Sequence, residues 1–364
     1  MFSSRQIYEP EVWRSSFFEF EEIIRIVDSV DLVAPRPQKW YGQCRRIAMS
    51  VGKRSTLVLN PGIPKVKIDK YYDLFVAACD VPSELLSVSA AVRWKDHCRT
   101  SVCIMNELWT NEMPLYKSCI KILSKFDYVL TPLRQSVEPI SKITGKPCSY
   151  LPLGVDAILF CPFPSLPHRF IDVLSYGRRS EQLHQTLVSL FRDDKLFYLY
   201  DTTKDLLTFD LAQHRLLRAN ILKRSRCSIV NPGKFDLPGE SGTQSEIGAR
   251  YFEGAAAGTI MIGQEPSVRD FKEIFNWPDA VVAIPREAAK NEVEGILGKL
   301  SMQSERVETA RRRNVVESLL RHDWVYRWET VLKLTGLDPL RGLLERKQQL
   351  QNLSEMARSA NLCV

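Results

Sequence analysis

The alternation of short, wholly apolar runs with helical segments is the feature that most constrains the fold of this chain. From Ile171 onward the runs IDVLSYG, KLFYLYD, CSIVNP, TIMIG and AVVAIP are each followed by ten or more residues compatible with a helix. A strand that is apolar on both faces needs cover on both sides, and parallel sheets obtain that cover from their crossover helices. The second half therefore predicts a doubly wound α/β domain.

The same rhythm, less regular, begins near residue 56. The runs TLVLN, LFVAACDV, VCIM and DYVLTP are candidate strands, and residues 83–98 and 112–126 have apolar side chains at helical spacing. A second doubly wound parallel-sheet domain is expected here. The predicted division is an N-terminal domain at 1–155, a proline-rich linker at 156–170, a C-terminal domain at 171–320, and C-terminal helices at 321–364.

One long amphipathic helix is predicted over residues 316–336, VESLLRHDWVYRWETVLKLTG, with its end at Gly336. The longest apolar runs, LFVAAC and CSIV, are strand-sized and too short to span a membrane. The N-terminus lacks the basic region and apolar stretch of a secretory signal, so we expect none. The nine cysteines form no CxxC pair, which suits reduced thiols of a cytoplasmic protein.

The net charge of the chain gives only weak information about the class of its binding partner. Lys and Arg number 50 against 43 Asp and Glu, a net charge of +7 that suits an anionic small ligand, a membrane surface or nucleic acid. The basic clusters at 223–226 and 311–313 lack interleaved aromatic residues and are interpreted as solvated helix faces, so no nucleic-acid partner is expected. A peripheral contact with anionic lipid stays open. The five histidines form no metal-ligand spacing, and no metal is expected.

The stretch SEIGARYFEGAAAGTIMIG, residues 245–263, combines a buried helix with three charged side chains. Thr243 and Glu246 have the spacing of a capping box, and Gly258 fits the helix end. On such a helix Glu246, Arg250 and Glu253 would form one stripe. The stripe is either a solvent-facing row of ion pairs or part of a ligand site.

The ligand-site alternative has a physical basis in the placement of this helix. In open parallel sheets, ligands gather where strands end and helices begin, and the free N–H groups of a helix N-terminus attract phosphate. Arg250 could neutralise a diphosphate, and a glutamate further along could accept both hydroxyl groups of a ribose. The preceding loop, NPGKFDLPGESGTQ, is rich in glycine and lets a ligand approach the backbone.

Four segments in order carry a resemblance to a known family: YLPLGVDAILFCP, VLSYGRR, SEIGARYFEGAAAGTIMIG and HDWVYRWETVL. Together they resemble glycosyltransferases of the GT-B type, in particular the retaining, family-4-like group and its spore-maturation-protein-like relatives. The resemblance covers about residues 125–335. It implies two Rossmann-like domains facing each other across a cleft, with the last helices partly crossing back to the first domain.

The resemblance assigns the donor site residue by residue. Gly177 and Arg178 match the pair that contacts the donor diphosphate, with Arg179 assisting. The lysine that the family often places a few residues later is missing, and Arg250 could replace its charge. Glu253 matches the glutamate that holds the nucleotide ribose.

The family's first glutamate falls on Ser245 in this chain, one position before Glu246. Glu246 is therefore the candidate for the sugar side of the donor, with Ser245 and Gln244 as rivals, and Glu246 and Arg178 are the candidate catalytic residues. The reaction implied is retaining, metal-independent transfer from a nucleotide-diphosphate sugar, such as a UDP-sugar, to a hydroxyl group. No cofactor is expected, and no DxD motif was found at a strand end.

On the acceptor side, Asn106, Glu107 and Trp109 follow the strand VCIM, and a carboxylate beside an indole suits sugar or polyol recognition. The alternative is a plain turn with a packed tryptophan. The acceptor itself stays open between a small molecule, a glycan and a lipid. His322 belongs to a motif that we interpret as structural. Other functions considered are a sugar-nucleotide epimerase of related fold and a catalytically silent GT-B protein that binds a nucleotide or a partner.

Overall fold

The computed structural model describes residues 1–8, 11–202 and 207–360. The chain divides into two compact units, and neither is a single continuous segment. The first unit contains residues 1–152, 237–244 and 331–338, and the second contains 153–236, 245–330 and the described residues from Pro339 on. Residues 237–244 belong to the first unit through direct contacts. For example, the Gln244 side chain accepts hydrogen bonds from the backbone N–H of Thr110, at 2.7 Å, and from its hydroxyl, at 2.5 Å.

Parallel strands form the centre of each unit. The strands of the described residues are β1 (Phe2–Ser3), β2 (Val66–Lys67), β3 (Tyr72–Cys79), β4 (Ala91–Val92), β5 (Cys98–Met105), β6 (Tyr128–Thr131), β7 (Cys148–Tyr150), β8 (Ile171–Ser175), β9 (Tyr198–Tyr200), β10 (Ser225–Val230), β11 (Ile260–Gly263) and β12 (Val282–Ala283).

Helices occupy most of the intervening chain. The α-helices of the described residues are α1 (Ser15–Val27), α2 (Tyr41–Arg54), α3 (Leu85–Val88), α4 (Lys117–Leu123), α5 (Val137–Thr144), α6 (Ala157–Phe160), α7 (Glu181–Arg192), α8 (Leu211–Lys223), α9 (Pro238–Ser241), α10 (Ala249–Ala256), α11 (Asp270–Ile274), α12 (Lys290–Met302), α13 (Ser304–Arg321), α14 (Trp324–Thr335) and α15 (Arg341–Ser359). None of the helices described has both the length and the apolar composition needed to cross a bilayer.

The two sheets differ in strand order. In the first unit the order is β1-β3-β5-β6-β7, which follows the chain, and every pair is parallel. In the second unit the order is β12-β11-β10-β8-β9, again all parallel. The chain direction across this second sheet reverses between β8 and β10, and such a reversal opens a crevice at the carboxyl ends of the two strands.

The strand predictions for the second half are confirmed, as are those for LFVAACDV, VCIM and DYVLTP. The strand predicted at TLVLN, residues 56–60, is wrong. The side-chain oxygen of Asn60 accepts hydrogen bonds from the backbone N–H groups of Gly62 (2.9 Å) and Ile63 (2.8 Å), so the chain turns instead of pairing. The helix predicted at 83–98 is also wrong beyond α3, because the chain there forms β4 and Arg93 has a left-handed φ of 66°.

Two predictions about residues 156–170 and 316–336 need correction. The long helix predicted over 316–336 is broken into α13 and α14, because the buried Asp323 carboxylate accepts a hydrogen bond from the Val325 N–H (2.9 Å) and starts a new helix. Its predicted end is confirmed by Gly336, which follows α14 with φ 65°. The predicted linker contains α6, a single helical turn whose Leu159 N–H donates to the Asp156 carboxylate at 3.0 Å.

Candidate functional site

The strongest candidate site lies where β8 and β10 end, at the strand-order reversal of the second sheet. Tyr176, Gly177 and Arg178 follow β8 directly, and Asn231 follows β10. The two strands are hydrogen-bonded neighbours in parallel register, so their carboxyl ends open on the same edge of the sheet. The predicted diphosphate-contacting residues are therefore placed where doubly wound sheets bind their ligands.

Gly177 is needed at the first of these turns for two reasons. Its φ is 65°, in the left-handed region that favours glycine. A Cβ atom at this position would lie only 2.7 Å from Nη2 of Arg250. The absence of a side chain therefore lets the Arg250 guanidinium lie directly against the backbone of the turn.

Arg250, in the first turn of α10, carries the central positive charge of the site. Its Nη1 donates to the backbone oxygen of Arg178 at 2.7 Å, and its guanidinium carbon lies 5.8 Å from the ring centre of Tyr176. Burial lowers the pKa of Arg250 below its ordinary value, although an arginine stays protonated in proteins. Arg250 has no ion-pair partner among the residues described, so a half-buried positive charge with spare N–H donors lies at this crevice.

Glu253, one turn further along α10, is held by two residues that the sequence analysis missed. The Tyr176 hydroxyl donates to its Oε2 at 2.8 Å, and Arg218 of α8 forms an ion pair with its Oε1 at 3.0 Å. Burial and the adjacent Glu253 raise the pKa of Tyr176 well above its ordinary value, so the phenol stays a donor. The position of Tyr176 at a predicted strand end was a usable signal, whereas nothing in the sequence pointed to Arg218.

The predicted start of the glutamate helix is wrong. α10 begins at Ala249, and Thr243 lies in an exposed turn, so no capping box forms. The N-cap residue is Gly248, and no side chain caps this end. The N–H groups of the first turn thus lack the side-chain acceptor that a capping box would supply, and they are available to an anion.

Glu246 lies in the non-helical segment before α10 and not on the helix, so the three-residue stripe does not form. The alternative of a solvent-facing row of ion pairs is also wrong, because Glu246 and Glu253 are 1% and 4% exposed. The Gly233 N–H donates to the Glu246 backbone oxygen at 2.8 Å and ties this segment to the loop after β10. The Ser245 hydroxyl accepts a hydrogen bond from the Ser267 N–H at 3.0 Å.

The two arginines after Gly177 have different surroundings. Arg178 is partly exposed and lies 3.2 Å from the Asp236 carboxylate. Arg179 donates to the backbone oxygen of Asp201 at 2.6 Å and to its carboxylate at 2.5 Å. An incoming diphosphate could compete with Asp236 for Arg178. Asp201, directly after β9, holds Nη2 of Arg179, while Nη1 of Arg179 is buried without a hydrogen-bond partner among the residues described.

Asn231 is a further polar residue of the crevice that the sequence analysis did not single out. It is 3% exposed, and its side-chain nitrogen has no hydrogen-bond partner within the described residues. Its place directly after a predicted strand was the signal that could have found it. A buried amide donor without a partner is costly and is a candidate for a ligand contact.

The predicted acceptor residues follow β5 in the first unit. Asn106 donates to the Asp80 carboxylate at 2.8 Å, and the Trp109 indole N–H donates to Glu107 at 2.6 Å. Trp109 is 1% exposed, so both ring faces are covered by protein and stacking against a sugar is not open to it. This corrects the expected role of Trp109, which fits the packed-tryptophan alternative and orients Glu107.

A buried acidic pair accompanies the acceptor candidates and was not anticipated. Burial, and then the adjacent Glu84, raise the pKa of Asp80 well above its ordinary value. Oδ2 of Asp80 is buried and has no hydrogen-bond partner among the residues described. Glu84 is bonded by Arg14 and by the Ser4 hydroxyl, the latter at 2.9 Å. In residues 1–8, 11–202 and 207–360, no three His, Cys, Asp or Glu side chains are grouped as metal ligands.

Comparisons with known proteins agree with this architecture. Residues 219–333 match a family model described as glycosyl transferase-like. HepE of Anabaena in complex with UDP-glucose superposes with a TM-score of 0.53 at 10% identity, covering 92% of this chain and 98% of that chain. An alpha-glucosyltransferase in complex with UDP and a 13-mer DNA containing an HMU base gives 0.54 at 9% identity, with the same coverage. No curated protein matches the sequence.

The α/β GT-B fold is thus confirmed, and the chain carries a glycosyltransferase-type domain over residues 219–333. At about 10% sequence identity, the similarity to these solved structures shows the fold alone. The finer grouping with the family-4-like and spore-maturation-protein-like relatives stays a prediction.

Proposed function

We propose that this chain transfers a sugar from a nucleotide-diphosphate sugar to an acceptor hydroxyl group. The observation that carries the proposal is the convergence of Gly177, Arg178, Arg250 and Glu253 at the strand-order reversal of the second sheet. A nucleotide sugar presents a diphosphate and a ribose a few ångströms apart. An unpaired arginine, an uncapped helix N-terminus and a buried carboxylate have the matching chemistry.

In the proposed mechanism the bond between the sugar C1 and the diphosphate oxygen breaks, and its electron pair passes to the diphosphate. Arg250, Arg178 and the first-turn N–H groups of α10 stabilise the charge that grows there. The acceptor oxygen forms the new bond to C1 from the same face, and its proton passes to the departing phosphate oxygen. This route gives retention without a protein nucleophile and asks for no metal.

Glu253 is proposed to accept the ribose hydroxyl groups. Tyr176 and Arg218 occupy part of its carboxylate, but a carboxylate has about four acceptor positions and two of these stay open. Glu246, close to the N-terminus of α10, is proposed to contact the transferred sugar. Asn106 and Glu107 are the proposed acceptor contacts.

The first donors to test are UDP-sugars, because the solved structures of similar fold contain UDP or UDP-glucose. A thermal-unfolding screen with UDP, GDP and ADP should show one nucleotide raising the midpoint. A ligand at a hundred times its Kd contributes about 2.7 kcal/mol of stability. Arg250→Ala and Glu253→Gln should remove the shift, while Arg192→Ala on the exposed end of α7 should keep it.

Turnover then separates the enzyme from a catalytically silent protein of the same fold. Release of nucleotide from UDP-glucose, UDP-galactose and the GDP- and ADP-sugars, with glycan, lipid and DNA acceptors offered, would support transfer. Tight nucleotide binding without turnover for any pair would support the silent alternative. An unchanged nucleotide affinity in both Arg250→Ala and Glu253→Gln would show that the site is elsewhere.

A further inference from the structure

The positive charge of the chain is concentrated in one short segment. Residues 36–70 contain nine Lys and Arg residues and a single acidic residue, Asp69. Their net charge of +8 exceeds the +7 of the whole chain. The remaining nine-tenths of the sequence is therefore almost neutral, and the excess charge belongs to this one segment of the first unit.

Most of these cations have no acidic partner. Lys67 is paired with Asp69 at 2.9 Å and Lys70 with Asp31 at 2.9 Å. Within the described part of the chain, six other exposed cations form no ion pair: Arg36, Lys39, Arg46, Lys53, Arg54 and Lys65. An uncompensated cluster of this size attracts an extended anionic surface more strongly than a single small anion.

Helix α2 places large apolar side chains among these cations. Trp40, its N-cap residue, is 65% exposed and Ile47 is 60% exposed. They are seven residues apart, so they lie two turns apart on nearly the same line of the helix. Arg46 and Lys53 lie about 100–120° around the helix from that line, on the side away from the buried Ala48 and Gly52.

Exposed apolar side chains continue past the end of α2, and a basic groove lies along the helix. Leu57, just past the end of α2, is 56% exposed. The face of α2 that carries Arg46 and Lys53 borders an open groove of about 570 Å³, which is lined by three cations, two small residues and a methionine: Gly42, Arg45, Arg46, Met49, Ser50 and Lys53. The same segment therefore combines a basic groove, which offers sites for phosphate groups, with exposed tryptophan and aliphatic side chains that can enter the acyl boundary.

We propose that residues 36–70, centred on α2, dock the protein onto an anionic lipid bilayer. Lys and Arg would contact the lipid phosphates, Trp40 would lie at the headgroup level, and Ile47 and Leu57 would enter the edge of the hydrocarbon. A nucleic acid would use the cations but would leave the aliphatic side chains in water, because single strands are bound by stacking on aromatic rings. The exposed aliphatic residues therefore favour lipid.

The test is flotation of the full chain with vesicles of phosphatidylcholine alone or mixed with phosphatidylglycerol. Binding is expected only with the anionic lipid, and it should weaken at high salt. Each basic residue near an anionic surface contributes about a fivefold factor, so Arg46→Gln with Lys53→Gln should weaken partitioning about 25-fold. The matched control is Arg192→Gln with Lys299→Gln, two exposed cations of the second unit.

Ile47→Ser tests the apolar contribution without changing charge, and it should also weaken binding. No binding to anionic vesicles would overturn the proposal, as would an equal loss in the control pair. Displacement from vesicles by an oligonucleotide, together with no effect of Ile47→Ser, would identify a nucleic-acid surface and would also overturn it. Flotation reports location alone, so its outcome does not depend on the proposed sugar transfer.

Discussion

Gly177→Ala is the substitution that tests the donor site most directly. The new Cβ would lie 2.7 Å from Nη2 and 3.3 Å from Cζ of Arg250, so the guanidinium must move away. The same change places alanine at φ 65°, which costs about 1–2 kcal/mol of stability in any protein. The substitution should therefore displace the Arg250 guanidinium and also strain the backbone, and a control variant is needed to separate the two effects.

Gly145→Ala provides the matched control. Gly145 has φ 66°, but a Cβ added there would meet no atom within 4 Å. Both variants should therefore lose a similar 1–2 kcal/mol of unfolding free energy from the backbone term. Only Gly177→Ala should weaken nucleotide binding, because only Gly177 is in contact with Arg250.

The expected loss of affinity follows from the contact that moves. A hydrogen bond to a charged group contributes about 1.5–3 kcal/mol, so displacing Arg250 from a diphosphate should raise the Kd of UDP about 10- to 150-fold. Isothermal titration calorimetry measures this, and urea unfolding measures the stability term. If Gly177→Ala acts through Arg250, adding it to Arg250→Ala should cause little further loss.

Three results would refute this reasoning. The first is a folded Gly177→Ala variant that binds UDP as tightly as the parent chain. The second is a Gly145→Ala variant that loses affinity to the same degree. The third is full additivity of Gly177→Ala and Arg250→Ala, which would mean that the two residues act on the ligand independently.

Two further predictions concern stability. Arg346 contacts the carboxylates of Asp323 and Asp156 at 2.7 and 2.8 Å, so Arg346→Met should lower the free energy of unfolding, measured in urea, by about 3–5 kcal/mol. The control Arg341→Met, which removes one partner of an exposed ion pair, should lower it by less than about 0.5 kcal/mol. Equal losses in the two variants would contradict the buried network. Burial raises the pKa of Glu21 from 4.5 to about 7, so its stabilising contribution is full below pH 4.5 and is lost as the pH rises through 7. Glu21→Gln should therefore gain stability relative to the parent between pH 5 and 8, by on the order of 3 kcal/mol, and a pH-independent difference would exclude this assignment.

The sequence by itself determined the strands of the second sheet. Runs such as CSIV and TIMIG are apolar on both faces and β-rich, and only a parallel sheet covered by helices buries them, so local composition decided their structure. The end of α14 at Gly336 was also predicted from the sequence. Glycine has a specific use where the chain must turn with a positive φ.

The start of α10 and the side chains that hold Glu253 were decided by the tertiary structure alone. Glu246 and Thr243 have the spacing of a capping box, but the Gly233 N–H donates to the Glu246 backbone oxygen and ties that segment to the loop after β10, and the helix starts at Ala249. The pairing of Glu253 with Arg218 joins residues 35 positions apart, which no local pattern encodes. Contacts between distant segments outweigh the few tenths of a kcal/mol by which neighbouring residues favour one helix start over another.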